Sequence, residues 1–547
     1  MQKILIPATA TALISAALSP AQAATAKEPD KASREVFPRY NVLCVTCEDI
    51  SPYVGCFGDK VAKSPNLDAF SHEAIRYNMY TTVGVSAPSR FSLITGCYPS
   101  SYGADQMRVS TKFPQGGAPY QVVLPAGMKC YTEFLRAAGY YCTNNVKTDY
   151  QFNAPLTAWD ECSNTAHWRN RPDKNMPFLS IFNLMVTHES QILGRTKLPL
   201  KVDPEKVILP PYYPDDPIVR HDVAVMYSNI YEMDRQTQAL FDQLKEDGLW
   251  DKTIIIWYSD NGGPLPRGKR EIYESGALIP FMIRLPDGYN KGEMEDRLVM
   301  FADIPPTILS LLGMEPPKYM QGSAFLGKYE AKPREFVYGA HDRMDEQVDK
   351  LACVRDARFR YIRNYMPEQA GYTPNAYRLQ KIPMAGRMAE LFAEGKLNEA
   401  QSKWFIAPRP VEEFYDVKAD PFELNNLIND PAYVADIARL KKEYDHWIND
   451  YNQDWFLPEI EKRNQMWPKG IQPEVEMPKL RTTPNGIEAA CATPGASLAY
   501  QIDGKGYGRE KQWLLYTAPV KLAKGQTLAV VGVRIGYKNS RQVKITI

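Results

Sequence analysis

Three short apolar runs stand out in the first part of the chain, and each stops abruptly at polar residues. Residues 41–46 run into Glu48 and Asp49, residues 177–185 into Thr187-His188-Glu189, and residues 253–258 into Ser259-Asp260-Asn261-Gly262. Runs of this length with almost no polar interruption suit strands buried on both faces of a sheet. Helical spacing lies between them. Over 222–249, Val225, Met226, Ile230, Met233, Leu240, Phe241 and Leu244 can share one face. A further helix is expected over 65–77, and another over 89–95, stopped by Gly96. Strands that end in polar residues, with helices between them, predict an open α/β sheet with ligands beyond the carboxyl ends of the strands.

The pattern changes near residue 333. Residues 359–362 read as a strand and 431–451 as a charged amphipathic helix, whereas 458–484 is rich in proline and charge and reads as a linker. From 485 to 547 short strands alternate with glycine turns such as Asp503-Gly504-Lys505-Gly506, as in a small β-sandwich. The expected division is therefore a signal at 1–23, a leader at 24–39 and a catalytic α/β domain at 40–330. A smaller α+β subdomain at 331–457, the linker and an all-β domain at 485–547 complete it. The signal rests on Lys3, the apolar stretch 4–18 and Ala21-Gln22-Ala23, a small-x-small cleavage pattern. The apolar stretch is shorter than the ~20 residues a membrane span needs. These features predict a secreted or periplasmic protein.

Composition narrows the partners. Lys plus Arg is 65 and Asp plus Glu is 64, so no general charge draws the chain to nucleic acid or an anionic membrane. An anionic substrate must then be held by a local cluster of cations. Cys44 and Cys47 have redox-motif spacing, but they lie inside a strand-like run, where two buried thiols are the expected outcome.

Candidate chemistry centres on Ser86-Ala87-Pro88-Ser89-Arg90. Proline favours the first turn of a helix, so Ser86 sits at a helix start whose free N–H groups attract an oxyanion, with Arg90 about one turn on. A capping serine with a surface arginine is the plain alternative. Glu48, Asp49, Asp260 and Asn261 supply only oxygen donors at two strand ends, a set suited to calcium or magnesium. Lys147, His188 and Lys269 are isolated cations that pattern alone does not select.

These motifs, with Ser64-Pro65-Asn66-Leu67-Asp68, Asp303-Ile304-Pro305-Pro306-Thr307 and Phe414-Tyr415-Asp416, recur in an order that resembles the type I sulfatases of the alkaline phosphatase superfamily. The resemblance implies an alkaline-phosphatase-like mixed sheet flanked by helices. It also implies conversion of Ser86 to formylglycine (3-oxoalanine) by a maturation enzyme, and a calcium ion held by Glu48, Asp49, Asp260, Asn261 and the modified Ser86. Arg90, Lys147, His188 and Lys269 would bind sulfate and assist the leaving group. Two positions depart from the family's pattern: Glu48 stands where aspartate is usual, and Asp149 where histidine is common. The 485–547 region resembles the accessory domains of bacterial hexosaminidases.

Within the family, Tyr231-Glu232-Met233-Asp234 and the stretch from Asp260 to Lys269 resemble the heparan N-sulfatase (sulfamidase) branch. Relatives of that branch also include O-sulfatases acting on galactose or N-acetylgalactosamine, so a sulfated glycan is the expected substrate and the sugar is left open. Gln106, Arg108, His341 and Arg343, read as loop residues, are candidate glycan contacts. The competing readings are a phosphatase or phosphodiesterase with unmodified Ser86, for which six histidines are a thin supply of zinc ligands, and an inactive glycan-binding protein.

Overall fold

The structure, a computed structural model, describes residues 37, 39–111 and 117–547. The expected signal at 1–23 and nearly all of the leader lie outside the described residues.

The principal sheet contains β1 (Asn41–Cys47), β2 (Ile75–Tyr80), β3 (Tyr141–Asn145), β4 (Glu161–Cys162), β5 (Phe178–Leu184), β6 (Thr253–Ser259), β7 (Leu278–Arg284) and β8 (Met294–Met300). Their order across the sheet is β4-β3-β5-β1-β6-β7-β2-β8. β7 runs antiparallel to both neighbours, and the other pairings are parallel. Alternation along β1 sends Val42 and Cys44 into one hydrophobic core and Leu43, Val45 and Cys47 into the other. Both faces are covered, which is why the strand reads as a continuous apolar run. Cys44 and Cys47 consequently point to opposite faces and are free thiols, each raised above the ordinary thiol range by burial.

One expected helix is corrected. The segment 65–77 is helical only over Pro65–Ser71, after which β2 begins at Ile75. Ile75, Tyr77 and Met79 alternate into the core with a period of two, a strand signal appended to the helical one. The long helix spans Pro217–Glu246, earlier than expected, because Asp216 caps it by accepting from the Ile218 N–H at 2.9 Å and Pro217 fits its first turn.

A second, antiparallel sheet contains β9 (Val337–Met344), β10 (Gln347–Arg355), β11 (Phe359–Asn364) and β12 (Glu412–Asp416), in the order β12-β11-β10-β9. The helix Val434–Tyr451 packs Ile437, Leu440, Tyr444 and Trp447 into its core. A buried ion cluster also ties down this sheet. Arg355 Nε lies 2.8 Å from Glu274 Oε1, Arg360 Nε lies 2.8 Å from Glu423 Oε1, and Arg360 also pairs with Glu274. Arg267 lies over the rings of Tyr212 and Tyr273, at 4.7 and 5.1 Å from their centroids.

The stretch expected to be a linker is instead docked. It carries the helix Glu459–Met466, and Glu459 accepts from Arg343 Nε at 2.6 Å and Arg343 Nη2 at 2.9 Å. Its charges serve tertiary contacts, which composition cannot distinguish from solvation. Beyond it, Lys479–Thr483 pairs with Gly486–Ala490, and a second antiparallel sheet is built around Ser497–Ile502 and Thr527–Val533. Ile487, Leu498, Val520, Leu528 and Val530 form the core of this all-β region. It rests on the catalytic unit through Arg136 Nη2, 2.8 Å from the Trp513 carbonyl, and Gln512 Nε2, 3.1 Å from the Asp160 carbonyl.

Candidate active site

β1 lies between β5 and β6, with Cys47 in register with both Leu184 and Ser259. The three strands therefore end at one level and deliver Glu48-Asp49, His188-Glu189 and Asp260-Asn261 side by side. Glu48, Asp49, Asp260 and Asn261 are fully buried.

Ser86 opens the helix Ser86–Thr95, and all ten residues of that helix are buried. Its hydroxyl donates to Asn261 Oδ1 at 3.0 Å and lies 3.5 Å from Glu48 Oε2. The Asn261 amide in turn donates to Asp49 Oδ1 at 2.9 Å. One helical turn on, Arg90 Nε lies 3.2 Å from Asp260 Oδ2, Arg90 also pairs with Glu48, and its Nη1 donates to Asn183 Oδ1 at 2.6 Å. Lys147 pairs with Glu48. Lys269 Nζ lies 2.8 Å from Asp49 Oδ2 and 3.2 Å from Glu189 Oε1. Every residue expected to carry the chemistry thus falls in one buried cluster.

Glycine makes the close approach of the loops possible. The Gly262 N–H donates to the Gly276 carbonyl at 2.9 Å, and a Cβ on Gly262 would collide with the Gly276 backbone. A Cβ on Gly84, just before Ser86, would likewise collide with the Glu271 carbonyl. Any side chain at either position would push the Ser86, Asn261 and Lys269 segments apart.

The electrostatics are those of opposing charges out of water. Burial pushes the Asp260 carboxyl up, and Glu48 beside it adds to the effect, bringing it to about 7. Burial pushes Glu48 the same way, but Lys147 and Arg90 outweigh it and hold that carboxylate well below the usual range. Burial, then Lys269, lowers His188 to about 4, so its imidazole is neutral at pH 7. The Ser190 N–H donates to His188 Nδ1 at 3.2 Å, which leaves the ring proton on Nε2.

Glu48, Asp49 and Asp260 each bring a carboxylate oxygen to within 4.8 Å of the others. An all-oxygen, strongly anionic donor set, with the Asn261 amide oxygen beside it, fits a hard divalent cation such as calcium. Asp49, His188 and Glu189 also converge, but Lys269 bridges Asp49 and Glu189 and already supplies a positive charge there.

The four expected glycan contacts separate. Arg108 is the partly exposed one: its side chain is 38% exposed, and its Nη2 lies 3.3 Å from Asp149 Oδ2. Gln106 is fully buried, with Nε2 3.4 Å from Asp342 Oδ2. His341 and Arg343 lie on β9 rather than in loops and are buried, His341 Nδ1 being 2.5 Å from the Asp349 carbonyl and Arg343 engaged by Glu459. All three side chains are buried, and the strand β9 corrects the reading of His341 and Arg343 as loop residues. Sequence reasoning missed Glu189, Arg270 and Asp345. Arg270 grips Glu189 through two contacts of 2.8 and 2.9 Å and reaches Asp345 Oδ2 at 3.1 Å. Glu189 was legible beside His188, whereas Asp345 joins only through tertiary packing.

The sequence model of the sulfatase family matches residues 40–174 and 163–314, and that of the N-sulphoglucosamine sulphohydrolase C-terminal region matches 267–404. The chain belongs to the sulfatase family and is an enzyme of that class. It is 42% identical over 556 residues to an ulvan-active sulfatase of Formosa agariphila, covering 94% of this chain and 93% of that one. It is 23% identical to the human N-sulphoglucosamine sulphohydrolase, over 76% of this chain and 91% of that one. Among solved structures, a 2-O GAG sulfatase superposes with a TM-score of 0.57 at 17% identity, covering 76% of this chain and 93% of that one.

Proposed function

We propose that this sulfatase removes sulfate from a sulfated polysaccharide outside the cytoplasm, using a formylglycine made from Ser86 and a calcium ion. The observation that carries the reading is the position of Ser86. Its hydroxyl lies 3.0 Å from Asn261 Oδ1 in a buried carboxylate cluster, with Arg90, Lys147, His188 and Lys269 around it.

Glu48, Asp49, Asp260 and Asn261, with the modified Ser86, would hold the calcium, which would offset charge on the sulfuryl oxygens when bound. Formylglycine at position 86 would supply a hydrated aldehyde as nucleophile toward sulfur. The residues of the chain do the rest. Arg90 is fixed by Glu48, Asp260 and Asn183, so its guanidinium is already oriented before substrate arrives. Lys147, with 12% of its side chain exposed, offers its ammonium from the open side of the cluster. Lys269 holds Asp49 and Glu189 in place, and the neutral His188 ring donates a hydrogen bond from its Nε2–H to the leaving oxygen.

The substantial identity to an ulvan-active sulfatase supports ulvan as the first substrate to try, and supports sulfate-ester over sulfamate cleavage. The match of 267–404 to the N-sulphoglucosamine sulphohydrolase C-terminal model favours sulfamate as the second reading. The export signal at 1–23 and the maturation enzyme belong to the same proposal. No helix among the described residues is long and apolar enough to cross a membrane.

Two measurements test the proposal together. A mass spectrum of the Ser86 peptide is expected to show the loss of two hydrogens. Sulfate release is expected from ulvan oligosaccharides and not from N-sulfated glucosamine. An unmodified Ser86 in active enzyme overturns the formylglycine assignment. Turnover of phosphate esters alone overturns the substrate class.

A further inference from the structure

The charges at the site divide into two kinds. Arg90, Lys269 and Arg270 have side chains at most 3% exposed and are each held by more than one carboxylate. Arg108 differs. It is 38% exposed and touches Asp149, itself 27% exposed, through a single contact of 3.3 Å. Charge-assisted hydrogen bonds settle near 2.7–2.9 Å, and an arginine bound in both teeth of its fork by a carboxylate uses two of its five donors. Here the pairing is long and one-sided, so the guanidinium keeps donors for another anion.

Its placement is built rather than incidental. Arg108 and Asp149 both sit in the left-handed backbone region, at φ 58° and 50°. Such a backbone conformation is unfavourable for a residue with a side chain and persists only where the surroundings enforce it. The enforcement is visible around Arg108. The Met107 N–H donates to the Arg343 carbonyl at 2.8 Å, the Val109 N–H donates to Gln151 Oε1 at 3.2 Å, and Arg343 Nη1 donates to the Met107 carbonyl at 3.2 Å. The backbone on either side of Arg108 is clamped while its side chain remains half open. Asp149 lies 3.9 Å from Lys147 Nζ, and Lys147 pairs with Glu48. A contiguous chain of charges thus runs from the buried cluster out to Arg108.

We propose that Arg108 is a specificity residue that binds a second anionic group of the substrate, a carboxylate or an additional sulfate near the sulfate being cleaved. Asp149 holds the guanidinium in place until the substrate's anion takes its donors. The proposal rests on the carbohydrate reading and adds that the preferred glycan carries two anionic groups. Asp149, where the family commonly has histidine, is then the residue that keeps Arg108 poised.

The test uses the full-length enzyme and three probes: a monosulfated disaccharide with a neighbouring uronate, its carboxyl-reduced counterpart, and a counterpart with a second sulfate in place of the carboxylate. Affinity is measured by calorimetry and turnover by sulfate release. Wild-type enzyme is expected to bind at least one doubly anionic probe roughly ten- to hundredfold more tightly than the neutralised one. Arg108→Met should collapse that ratio toward unity, Arg108→Lys should restore part of it, and Asp149→Asn should raise it by freeing the guanidinium. Preference for the uronate probe alone or the disulfated probe alone identifies the anion. A ratio unchanged in Arg108→Met, or no wild-type preference, overturns the proposal. Preferential binding without sulfate release leaves Arg108 in its role and counts against the assigned reaction instead.

Discussion

Two of the buried ion clusters among the described residues are built on opposite plans. Arg355 and Arg360 bracket Glu274, Arg360 also takes Glu423, and Arg267 lies between aromatic faces. That cluster joins the second sheet to the segment leading into β7. At the ends of β1 and β6, by contrast, carboxylates from separate strands face one another, and Asp260 is pushed up to about 7 by burial and by Glu48. The 267–274 segment serves both, giving Lys269 and Arg270 to one cluster and Arg267 and Glu274 to the other. In the first cluster three arginines, Arg267, Arg355 and Arg360, stand around two carboxylates, although burial and Glu274 also raise Glu423 to about 7, so the difference lies in which charges are gathered rather than in one raised acid. The second gathers like charge that favours a further cation, which is how a site differs from a stitch.

The sharpest way to break this contrast is to mutate each cluster and follow activity and stability separately. Ser86→Ala and Asp260→Asn are expected to lower kcat/KM at least about a thousandfold with thermal stability unchanged or raised, since Asp260→Asn relieves like-charge crowding. A matching fall in Tm would make the site a structural cluster after all. Arg360→Met should do the reverse, costing about 3–5 kcal/mol in denaturant unfolding because it strands the buried Glu423 and leaves Glu274 to Arg355 alone, while kcat/KM per folded molecule stays within about twofold. Chelation followed by calcium titration should move Tm by roughly 2–5 °C in wild-type enzyme and leave it unmoved in Asp260→Asn. Equal calcium responses in both would place the cation elsewhere.

A smaller effect concerns a buried acid that belongs to neither cluster. Asp222, in the long helix, is raised to about 7 by burial, only partly opposed by the Met384 N–H that it accepts at 2.7 Å. Its folded value lies above its ordinary one, so the native state binds the proton more tightly. The stability this gives is present at acid pH and is lost as pH rises through about 7. Asp222→Asn should flatten the fall in stability between about pH 4 and 7, as measured by urea unfolding across that range. An unchanged slope would show that Asp222 does not titrate there.

The frame of the catalytic unit was legible because a parallel sheet covered on both faces writes its strands as apolar runs, as 41–47 and 253–259 do. Glu48, Asp49, Asp260 and Asn261 were legible because the chain order of the strand ends mirrors their place in space. The border of the site was not. His341 and Arg343 looked like loop residues because His341, Asp342 and Arg343 are three consecutive polar residues in β9, and the buried Arg343 is matched by Glu459, more than a hundred positions away. The same long-range contact made a docked helix read as a linker. The role of Asp345 depends on Arg270 and Asn375, which no local pattern connects to it.

Ser86 is 1% exposed, within a helix buried along its whole length. A maturation enzyme would need to lay the serine and its neighbours in its own active site, and the folded protein offers no surface there to grasp. Under the maturation proposed above, modification must precede folding of the β1–β6 region. Chain that folds first would be sealed in the serine form. The fraction of active molecules in a preparation would then record a race between two processes during synthesis, and slowing folding would raise specific activity without changing the purified protein's sequence or fold.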